Sequence, residues 1–262
     1  MSAFVLKLIA VISMLFDHSG YLIFGQSSFF NYIGRLAFPI FAFQITEGYT
    51  HTKNLKKYIL RLFGFALISQ IPYTIFYKVV FNDFGMNVMF TLLLGLITIA
   101  IFDKYNKFTG ITTLFLFSII SQSLKLDYGA YGVVIIFLFY VFKDNAVLKF
   151  TSFILATFIR YFSELLPYGI LTTLNTLSTI NPISIYALCT ASSIMPIILY
   201  NGKKGRDMKY FLYLFYPIHL LIISILYIIL RWLPYLQILI LRCLQIHLLL
   251  FQYELLIFLV LV

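Results

Sequence analysis

The 262-residue sequence is short of charge and of cysteine, and each shortage excludes a class of protein. Asp, Glu, Lys and Arg make up only 11% of the chain, whereas soluble domains carry about 25%, so a water-soluble fold is excluded. The two cysteines, Cys189 and Cys243, both lie in apolar runs and lack the spacing of a zinc site. We therefore expect neither a disulfide framework nor a bound metal.

Apolar residues are abundant: 62% of the chain is hydrophobic and the mean hydropathy is +0.98. The first apolar run, Phe4 to Phe24, is long enough to cross a bilayer, which takes about 20 residues. It lacks the basic start and the small-residue cleavage site of a signal peptide, and it is too long for one. We therefore interpret it as a retained transmembrane helix.

The apolar runs together predict an all-α, polytopic integral membrane protein with about 9–10 transmembrane helices in a single domain, residues 1–262. The predicted spans are 4–24, 31–48, 58–80, 87–102, 108–124, 129–142, 146–160, 183–200 and 210–231. Residues 161–182 are broken by polar residues, Pro and Gly, and we expect an external loop or a re-entrant segment there. Residues 236–262 are expected to form a divergent tail or one further span.

The net charge of +10 lies mostly in short loops between predicted spans, as topology signals do, and so does not indicate nucleic-acid binding. The basic loops are 49–57, 103–107, 143–149 and 201–209. All four fall on one side of the bilayer if residues 161–182 do not cross it, and the positive-inside rule makes that side cytoplasmic. We expect a multi-pass protein of the plasma or inner membrane with a cytoplasmic amino terminus.

Ionisable residues inside the predicted spans are functional candidates because they are costly at that depth. Asp17 and Arg35 are expected at similar depth on neighbouring helices and predict a buried ion pair, which is either purely structural or part of a site. Asp17 and His18 are about 100° apart on the helix, so they are expected to have different partners. His18, and His219 next to Pro217, are candidate acid/base groups. For each histidine, a packed, hydrogen-bonded side chain is the alternative.

A mostly basic group of side chains, which we call the basic collar, lies at the predicted cytoplasmic ends of the second and third spans. Its members are Glu47, His51, Lys53, Lys56, Lys57 and Arg61. Such a group can hold an anionic lipid or a phosphorylated cofactor, and plain topology signalling is the alternative. The position of Arg61, one turn inside the third span, argues against plain topology signalling. Lys203, Lys204 and Arg206, in a glycine-containing loop, are further candidates for contact with phosphate.

Amide, hydroxyl and small residues in the third and fourth spans predict contacts between helices rather than chemistry. Gln70, Asn87 and Thr91 are of the types that commonly hold membrane helices together. We therefore expect them to be structural. The segment 127–132, Asp-Tyr-Gly-Ala-Tyr-Gly, opens the sixth span at the predicted outer face.

Seven blocks follow one another along the chain: LKLIAVISMLFDHSG at 6–20, IGRLAFPIFAFQITEGYTHTKN at 33–54, YILRLFGFALISQIPY at 58–73, NVMFTLLLG at 87–95, DYGAYG at 127–132, YNGKKG at 200–205 and FYPIHL at 215–220. In this order they resemble the TraX family, the pilin-acetylating proteins of conjugative systems. They cover most of residues 6–220, whereas residues 236–262 match nothing that we associate with the family. The polar positions of these motifs are occupied by Asp17, His18, Arg35, Glu47, His51, Arg61 and His219.

The resemblance implies a membrane-embedded acetyltransferase, related to the wider membrane-bound acyltransferases that use cytosolic acetyl-CoA. The implied acceptor is an exported amine or hydroxyl on a pilin, another peptide or a cell-surface glycan. In this scheme the acetyl-CoA phosphates dock on the basic collar and on Lys203, Lys204 and Arg206, and the thioester reaches His18 and His219. His18 is then a general base or a transient acetyl carrier, and Arg35 or a second histidine stabilises the oxyanion.

Two other classes of function use the same residue types. Buried Asp, His, Arg and Glu also mark proton relays, so a proton-coupled small-molecule transporter is the main alternative. No repeat relates two halves of the chain, which argues against it. The second alternative is a non-enzymatic assembly partner whose polar residues only join helices.

Overall fold

Eleven helices form in the part of the chain that the computed structural model describes, which is residues 1–25, 28–163, 181–207 and 209–232. They are α1 (Ala3–Ile23), α2 (Phe29–Gly34), α3 (Ala37–His51), α4 (Leu55–Phe81), α5 (Val88–Lys104), α6 (Lys107–Ser123), α7 (Gly129–Val141), α8 (Ala146–Ser163), α9 (Pro182–Ser192), α10 (Ile194–Ile198) and α11 (Lys209–Trp232). Helices α1, α4, α8 and residues Tyr213–Arg231 of α11 are long and apolar enough to cross a membrane. The predicted class, an all-α membrane protein, is confirmed.

Two predicted spans are each divided into two helices, and a proline explains each division. The span predicted at 31–48 breaks after Gly34, and the one at 183–200 breaks at Ser193. A helical proline has no N–H for the carbonyl four residues earlier, and its ring clashes with that carbonyl. Pro39 stands four residues after Arg35, and Pro196 stands four residues after Ser192. Both breaks therefore fall where the proline prevents the helix from continuing.

The Lys- and Arg-rich loops meet at one end of the bundle, which we call the basic end. The amide of Ala3 donates to the Lys203 carbonyl at 2.8 Å, which joins the amino terminus to the loop before α11. The hydroxyls of Tyr49 and Tyr140 donate to the Asp103 carboxylate at 2.8 and 2.5 Å, which joins the ends of α3, α5 and α7. The predicted segregation of these loops is thus present in the described residues.

The loops between the other helix ends meet at the opposite end of the bundle. The amide of Met86, before α5, donates to the Lys125 carbonyl, after α6, at 3.1 Å. Tyr161, near the end of α8, stacks on Tyr186, near the start of α9. The end of α8 and the start of α9 therefore both lie at this end of the bundle. The predictions for residues 164–180 and 236–262 lie outside the described residues.

The predicted helix-joining residues hold α4 to α5. The Asn87 side chain caps α5 by accepting a hydrogen bond from the Met89 amide, and its Nδ2 donates to the Ala66 carbonyl at 2.8 Å. Gln70 Oε1 accepts hydrogen bonds from both the backbone and side-chain nitrogens of Asn87. These groups satisfy one another inside the bundle and fix the start of α5. The prediction of a structural role for Gln70 and Asn87 is confirmed.

Candidate functional site

Two cavities lie in line inside the bundle. The basic-end cavity has a volume of about 490 Å³ and reaches the exposed side chains at the basic end. The opposite-end cavity has a volume of about 100 Å³ and lies between α1, the α2–α3 turn and the α6–α7 loop. Four residues line both cavities and separate them, and we call them the dividing wall. They are Met14, Phe41, Val88 and Tyr216.

His18 and His219 meet beside this wall. His18 Nδ1 lies 2.7 Å from His219 Nε2, and the two rings stack with centroids 5.0 Å apart. His219 is 4% exposed and is further packed between Phe215 and Tyr216. The structure therefore brings together the two histidines that the sequence proposed separately.

The hydrogen bonds of His219 fix where the protons lie in the neutral pair. His219 Nδ1 lies 2.7 Å from the Phe215 carbonyl oxygen, which can only accept, so Nδ1 carries the proton. His219 Nε2 is then the acceptor, and His18 Nδ1–H donates to it. His18 Nε2 is left with a free lone pair, and among the described residues it has no hydrogen-bond partner. Since His18 lines the opposite-end cavity, this pair presents a base to that cavity.

The predicted Asp17–Arg35 ion pair is present on the far side of the same cavity. Arg35 Nη2 donates to Asp17 Oδ1 at 2.5 Å, and both side chains are mostly buried. Asn31 Nδ2 donates to the Asp17 backbone oxygen at 2.9 Å and to its carboxylate at 3.3 Å. Arg35 Nη2 also donates to the Tyr21 hydroxyl at 3.3 Å. As predicted, Asp17 and His18 have different partners.

Close approach of α1 to α2 makes this pair possible. A Cβ built on Gly34 would lie 2.2 Å from the Asp17 Cβ, so any larger residue would force the helices apart. The Arg35 guanidinium then lies against the Tyr186 ring, 5.1 Å from its centroid. The ion pair thus joins α1, α2 and α9, which is a structural role. The pair also lines the opposite-end cavity, so it is compatible with both of the alternatives that the sequence left open.

Sequence reasoning missed several side chains of the opposite-end cavity. Asp127 and Tyr128, at the start of the Asp-Tyr-Gly-Ala-Tyr-Gly segment, line it together with Tyr73 and Tyr216. Burial raises the pKa of the Asp127 carboxyl to about 6; the nearby Asp17 adds to this shift, and Arg35 opposes it. The Asp-Tyr-Gly-Ala-Tyr-Gly segment was noted in the sequence. Because Asp127 and Tyr128 lie in a loop, however, no helical periodicity predicts which way their side chains point.

The basic collar divides into residues that line the basic-end cavity and residues that do not. Glu47, His51 and Arg61 line it, as does Lys204 from the loop before α11. The remaining five candidates are exposed and are not among its lining residues. They are Lys53, Lys56, Lys57, Lys203 and Arg206.

Two further lining residues of the basic-end cavity were not predicted. Lys7 of α1 adds a cationic side chain to the lining. Gln44 of α3 also lines the cavity, and its buried Nε2 has no hydrogen-bond partner within the described part of the chain. Arg61 is held between the rings of Tyr58 and Tyr213, at 5.5 and 5.6 Å from their centroids. The lining therefore combines three cationic side chains with the carboxylates of Glu47 and Asp207, of which Asp207 pairs with Lys204, and it includes an unused amide.

Taken together, the arrangement places a base beside a wall between two cavities that approach from opposite ends of the bundle. A substrate group in either cavity would come close to this wall. Nowhere in residues 1–25, 28–163, 181–207 or 209–232 do three or more His, Cys, Asp or Glu side chains form a group able to hold a metal ion. The chemistry that the described groups supply is proton transfer and charge stabilisation.

Comparison with known proteins supports the resemblance seen in the motifs. The sequence model of the family described as TraX protein matches residues 2–227. A probable fimbrial assembly protein FimC, serogroup H1, from Dichelobacter nodosus is 28% identical over an alignment of 240 positions, which covers 84% of this chain and 93% of that protein. An uncharacterized protein, RP591, from Rickettsia prowazekii (strain Madrid E) is 29% identical over an alignment of 182 positions, which covers 67% of this chain and 68% of that protein. No solved structure matches.

Proposed function

This chain belongs to the TraX family, and we propose that it is a membrane-embedded acetyltransferase that moves an acetyl group from cytosolic acetyl-CoA to an exported acceptor. The observation that carries the proposal is the His18–His219 pair, whose free lone pair on His18 Nε2 lies beside the wall between two opposed cavities. One cavity then serves the donor and the other the acceptor.

The donor cavity is the one at the basic end. Its volume of about 490 Å³ lies within the range of about 300–1,000 Å³ that is usual for small-molecule sites. Lys7, Arg61 and Lys204 supply cationic groups for phosphates near the mouth. The unpaired amide of Gln44 lies further in, where an amide of the pantetheine arm can hydrogen bond to it. These residues suit acetyl-CoA, which is a phosphate-rich head on a long polar arm.

The acceptor cavity is the smaller one at the opposite end. Asp17, Arg35 and Asp127 line it, so a polar acceptor group is more compatible with it than a lipid chain. Asp17 and Arg35 act as positioning residues, because their ion pair holds α1 against α2. The relative from Dichelobacter nodosus is named as a fimbrial assembly protein, which favours a pilin or fimbrial subunit as the acceptor, ahead of other peptides and glycans.

The proposed reaction is a direct transfer at the dividing wall. The acceptor amine or hydroxyl attacks the thioester carbonyl carbon, and a C–N or C–O bond forms while the C–S bond breaks. His18 Nε2 takes the proton from the nucleophile, and the His18 imidazolium then gives it to the departing sulfur as coenzyme A leaves. His219 orients His18 and stabilises the imidazolium through the hydrogen bond between the rings, as the third member of a catalytic triad does.

The proposal places the protein in the plasma or inner membrane with the basic end in the cytoplasm, where acetyl-CoA is made available. Reporters fused after Lys57, Lys107, Lys149 and Lys204 are expected to behave as cytoplasmic. A reporter at Asp83, at the other end of the bundle, is expected to behave as exported. A cytoplasmic signal at Asp83 would contradict this orientation.

The test of the function is an assay on purified protein in nanodiscs with radiolabelled acetyl-CoA. The acceptors are peptides with a free amino terminus, the same peptides with a blocked terminus, and amino- or hydroxyl-bearing sugars. Wild-type protein is expected to label one class of acceptor, and His18→Ala is expected to lose about 10²–10⁴ of the rate, the usual effect of losing a general base. His247→Ala is the matched control, because His247 lies beyond the residues that the family matches.

Three outcomes would contradict the proposal. The first is failure of the wild-type protein to bind coenzyme A. The second is retention by His18→Ala of more than about a tenth of the wild-type rate, far above what loss of a general base leaves. The third is proton-coupled uptake of a small molecule into liposomes without any acetyl transfer, which would favour the transporter.

A further inference from the structure

Tyr216 is a buried tyrosine whose hydroxyl has no hydrogen-bond partner among the described residues. Its side chain is 3% exposed, and it lies in the dividing wall, three residues before His219 on α11. Its Oη makes no hydrogen bond of normal geometry within the described ranges. Buried polar groups in native proteins nearly always have a partner. A hydroxyl left without one between two cavities indicates a partner that arrives with a ligand.

The backbone amide of Val88 faces the same point. Val88 is the first residue of α5, and its amide is one of those at a helix start that have no partner inside the helix. The cap on Asn87 serves the Met89 amide instead, and the backbone ladder offers the Val88 amide no carbonyl acceptor among the described residues. The Tyr216 hydroxyl oxygen is the side-chain group that this amide approaches. The start of α5 also carries the positive end of the helix dipole.

We infer that the Tyr216 hydroxyl and the Val88 amide form an oxyanion site for the carbonyl of the acetyl thioester. The inference rests on the proposed acetyl transfer. When the acceptor attacks, the carbonyl oxygen gains the negative charge as the new bond forms, and both N–H and O–H donate to it. When the tetrahedral intermediate collapses, the C–S bond breaks, the charge returns to the carbonyl, and both donors are again available.

The positions of the other candidate donors favour this assignment. Arg35 was a candidate for the oxyanion, but it lines only the opposite-end cavity, and its Nη2 and Nε are bonded to Asp17, Tyr21 and the Asn31 carbonyl. His219 carries its proton towards the Phe215 carbonyl. The Tyr216 hydroxyl proton has no acceptor among the described residues, the Val88 amide meets only the Tyr216 hydroxyl oxygen, and both residues line both cavities. A thioester that reaches the wall from the basic end would therefore meet both groups.

The first test removes only the Tyr216 hydroxyl. Tyr216→Phe is expected to lower kcat about 10²–10³-fold, as the loss of one oxyanion donor does, with acetyl-CoA affinity and thermal stability unchanged. Tyr227→Phe, on the same helix but outside both cavities, is the matched control and is expected to keep the wild-type rate. A direct readout is the affinity for a trifluoromethylketone analogue of acetyl-CoA, whose hydrate is tetrahedral. Tyr216→Phe is expected to weaken binding of that analogue and to leave binding of coenzyme A unchanged.

The second test removes the Val88 amide. Val88→Pro deletes the N–H at the first helical position, where proline is well tolerated. Asn87, with φ −67° and ψ 159°, already has the backbone conformation that a residue before proline prefers. The variant is expected to fold, to bind coenzyme A normally, and to lose kcat and analogue affinity in the same way as Tyr216→Phe.

The oxyanion site is overturned if Tyr216→Phe keeps its kcat within twofold of wild type while His18→Ala is inactive. It is equally overturned if the loss of rate in Tyr216→Phe is matched by a loss of coenzyme A affinity or of thermal stability, because the hydroxyl would then be structural. An inactive wild-type protein that does not bind coenzyme A contradicts the acetyltransferase itself, which is a different result from either of these.

Discussion

His18 Nδ1 and His219 Nε2 are 2.7 Å apart although 201 residues separate them in the sequence. Because His219 Nδ1 is committed to the Phe215 carbonyl, the two rings form a chain of hydrogen bonds with one direction. In this arrangement of hydrogen bonds the free lone pair lies on His18 Nε2, and His219 has none. The two histidines are therefore not interchangeable: His219 is buried, whereas His18 is partly exposed and lines the opposite-end cavity.

The first prediction follows from this asymmetry. His219→Ala is expected to lower kcat about 10²–10⁴-fold, because His18 loses the group that fixes its tautomer. His219→Gln is expected to recover part of that loss, since its side-chain oxygen can accept the proton of His18 Nδ1. Rates measured in nanodiscs at saturating acetyl-CoA decide the point. Equal rates for the two variants would show that the hydrogen bond between the rings has no role.

The second prediction concerns the buried ion pair of Asp17 and Arg35. Asp17→Asn leaves a buried arginine without a counter-charge, and such a loss typically destabilises a protein by about 3–5 kcal/mol. Asp17→Asn combined with Arg35→Gln is expected to unfold at a higher temperature than either single variant. The double variant is not expected to regain transfer activity. Additive losses of stability in the double variant would show that the two side chains do not act as a pair.

The third prediction concerns the contact that brings the ion pair together. Gly34→Ala is expected to destabilise the protein by more than 1 kcal/mol, because its Cβ would lie 2.2 Å from the Asp17 Cβ and the helices must separate. Gly64→Ala is the matched control: a Cβ there meets nothing within 4 Å, and alanine favours a helix by about 1 kcal/mol. Chemical denaturation of the two variants should therefore shift in opposite directions. A stable Gly34→Ala variant would contradict the close packing of α1 on α2.

The Asp17–Arg35 pair was predictable from sequence, whereas the His18–His219 pair was not. Residues on consecutive antiparallel helices have their relative depth fixed by a short connection, so Asp17 and Arg35 follow from counting residues. No such rule relates α1 to α11, because the neighbours of a helix in a bundle depend on packing of the whole chain. In addition, a helix that is hydrophobic on all sides has no periodic pattern that would predict which side contacts its neighbours.

The division of the predicted spans was predictable but missed. Pro39 stands five residues after Gly34, where α2 ends, and Pro196 stands four residues after Ser192, where α9 ends; the rule for prolines in helices places a break at about this distance. The basic collar was over-extended for a different reason. Charge alone cannot separate Arg61, which lines the cavity, from Lys56, which is exposed and stands five residues earlier on the same helix. Only the direction of each side chain does so.

The fourth prediction uses that difference between Arg61 and Lys56. Arg61→Ala is expected to weaken coenzyme A binding about 10- to 100-fold, which corresponds to the loss of one charged hydrogen bond of about 1.5–3 kcal/mol. Lys56→Ala removes the same charge outside the cavity and is expected to change the affinity by less than twofold. Isothermal titration in nanodiscs measures both. Equal losses in the two variants would show that the collar attracts the ligand only by its overall charge.

The fifth prediction is a pH dependence at Asp127. Burial raises the pKa of its carboxyl to about 6 in the folded protein, above the value near 4 of an unfolded chain. The folded state therefore binds the proton more tightly, so this group destabilises the fold above pH 6, and the destabilisation is relieved as pH falls from about 6 to about 4. Between those values the free energy of unfolding should rise by up to about 1.4 kcal/mol per pH unit from this group. Asp127→Asn is expected to remove that rise and to be more stable than wild type at pH 7. Since asparagine keeps the size and polarity of the side chain, thermal unfolding of both proteins from pH 4 to pH 8 isolates the titration, and parallel curves would show that Asp127 is not the group that titrates.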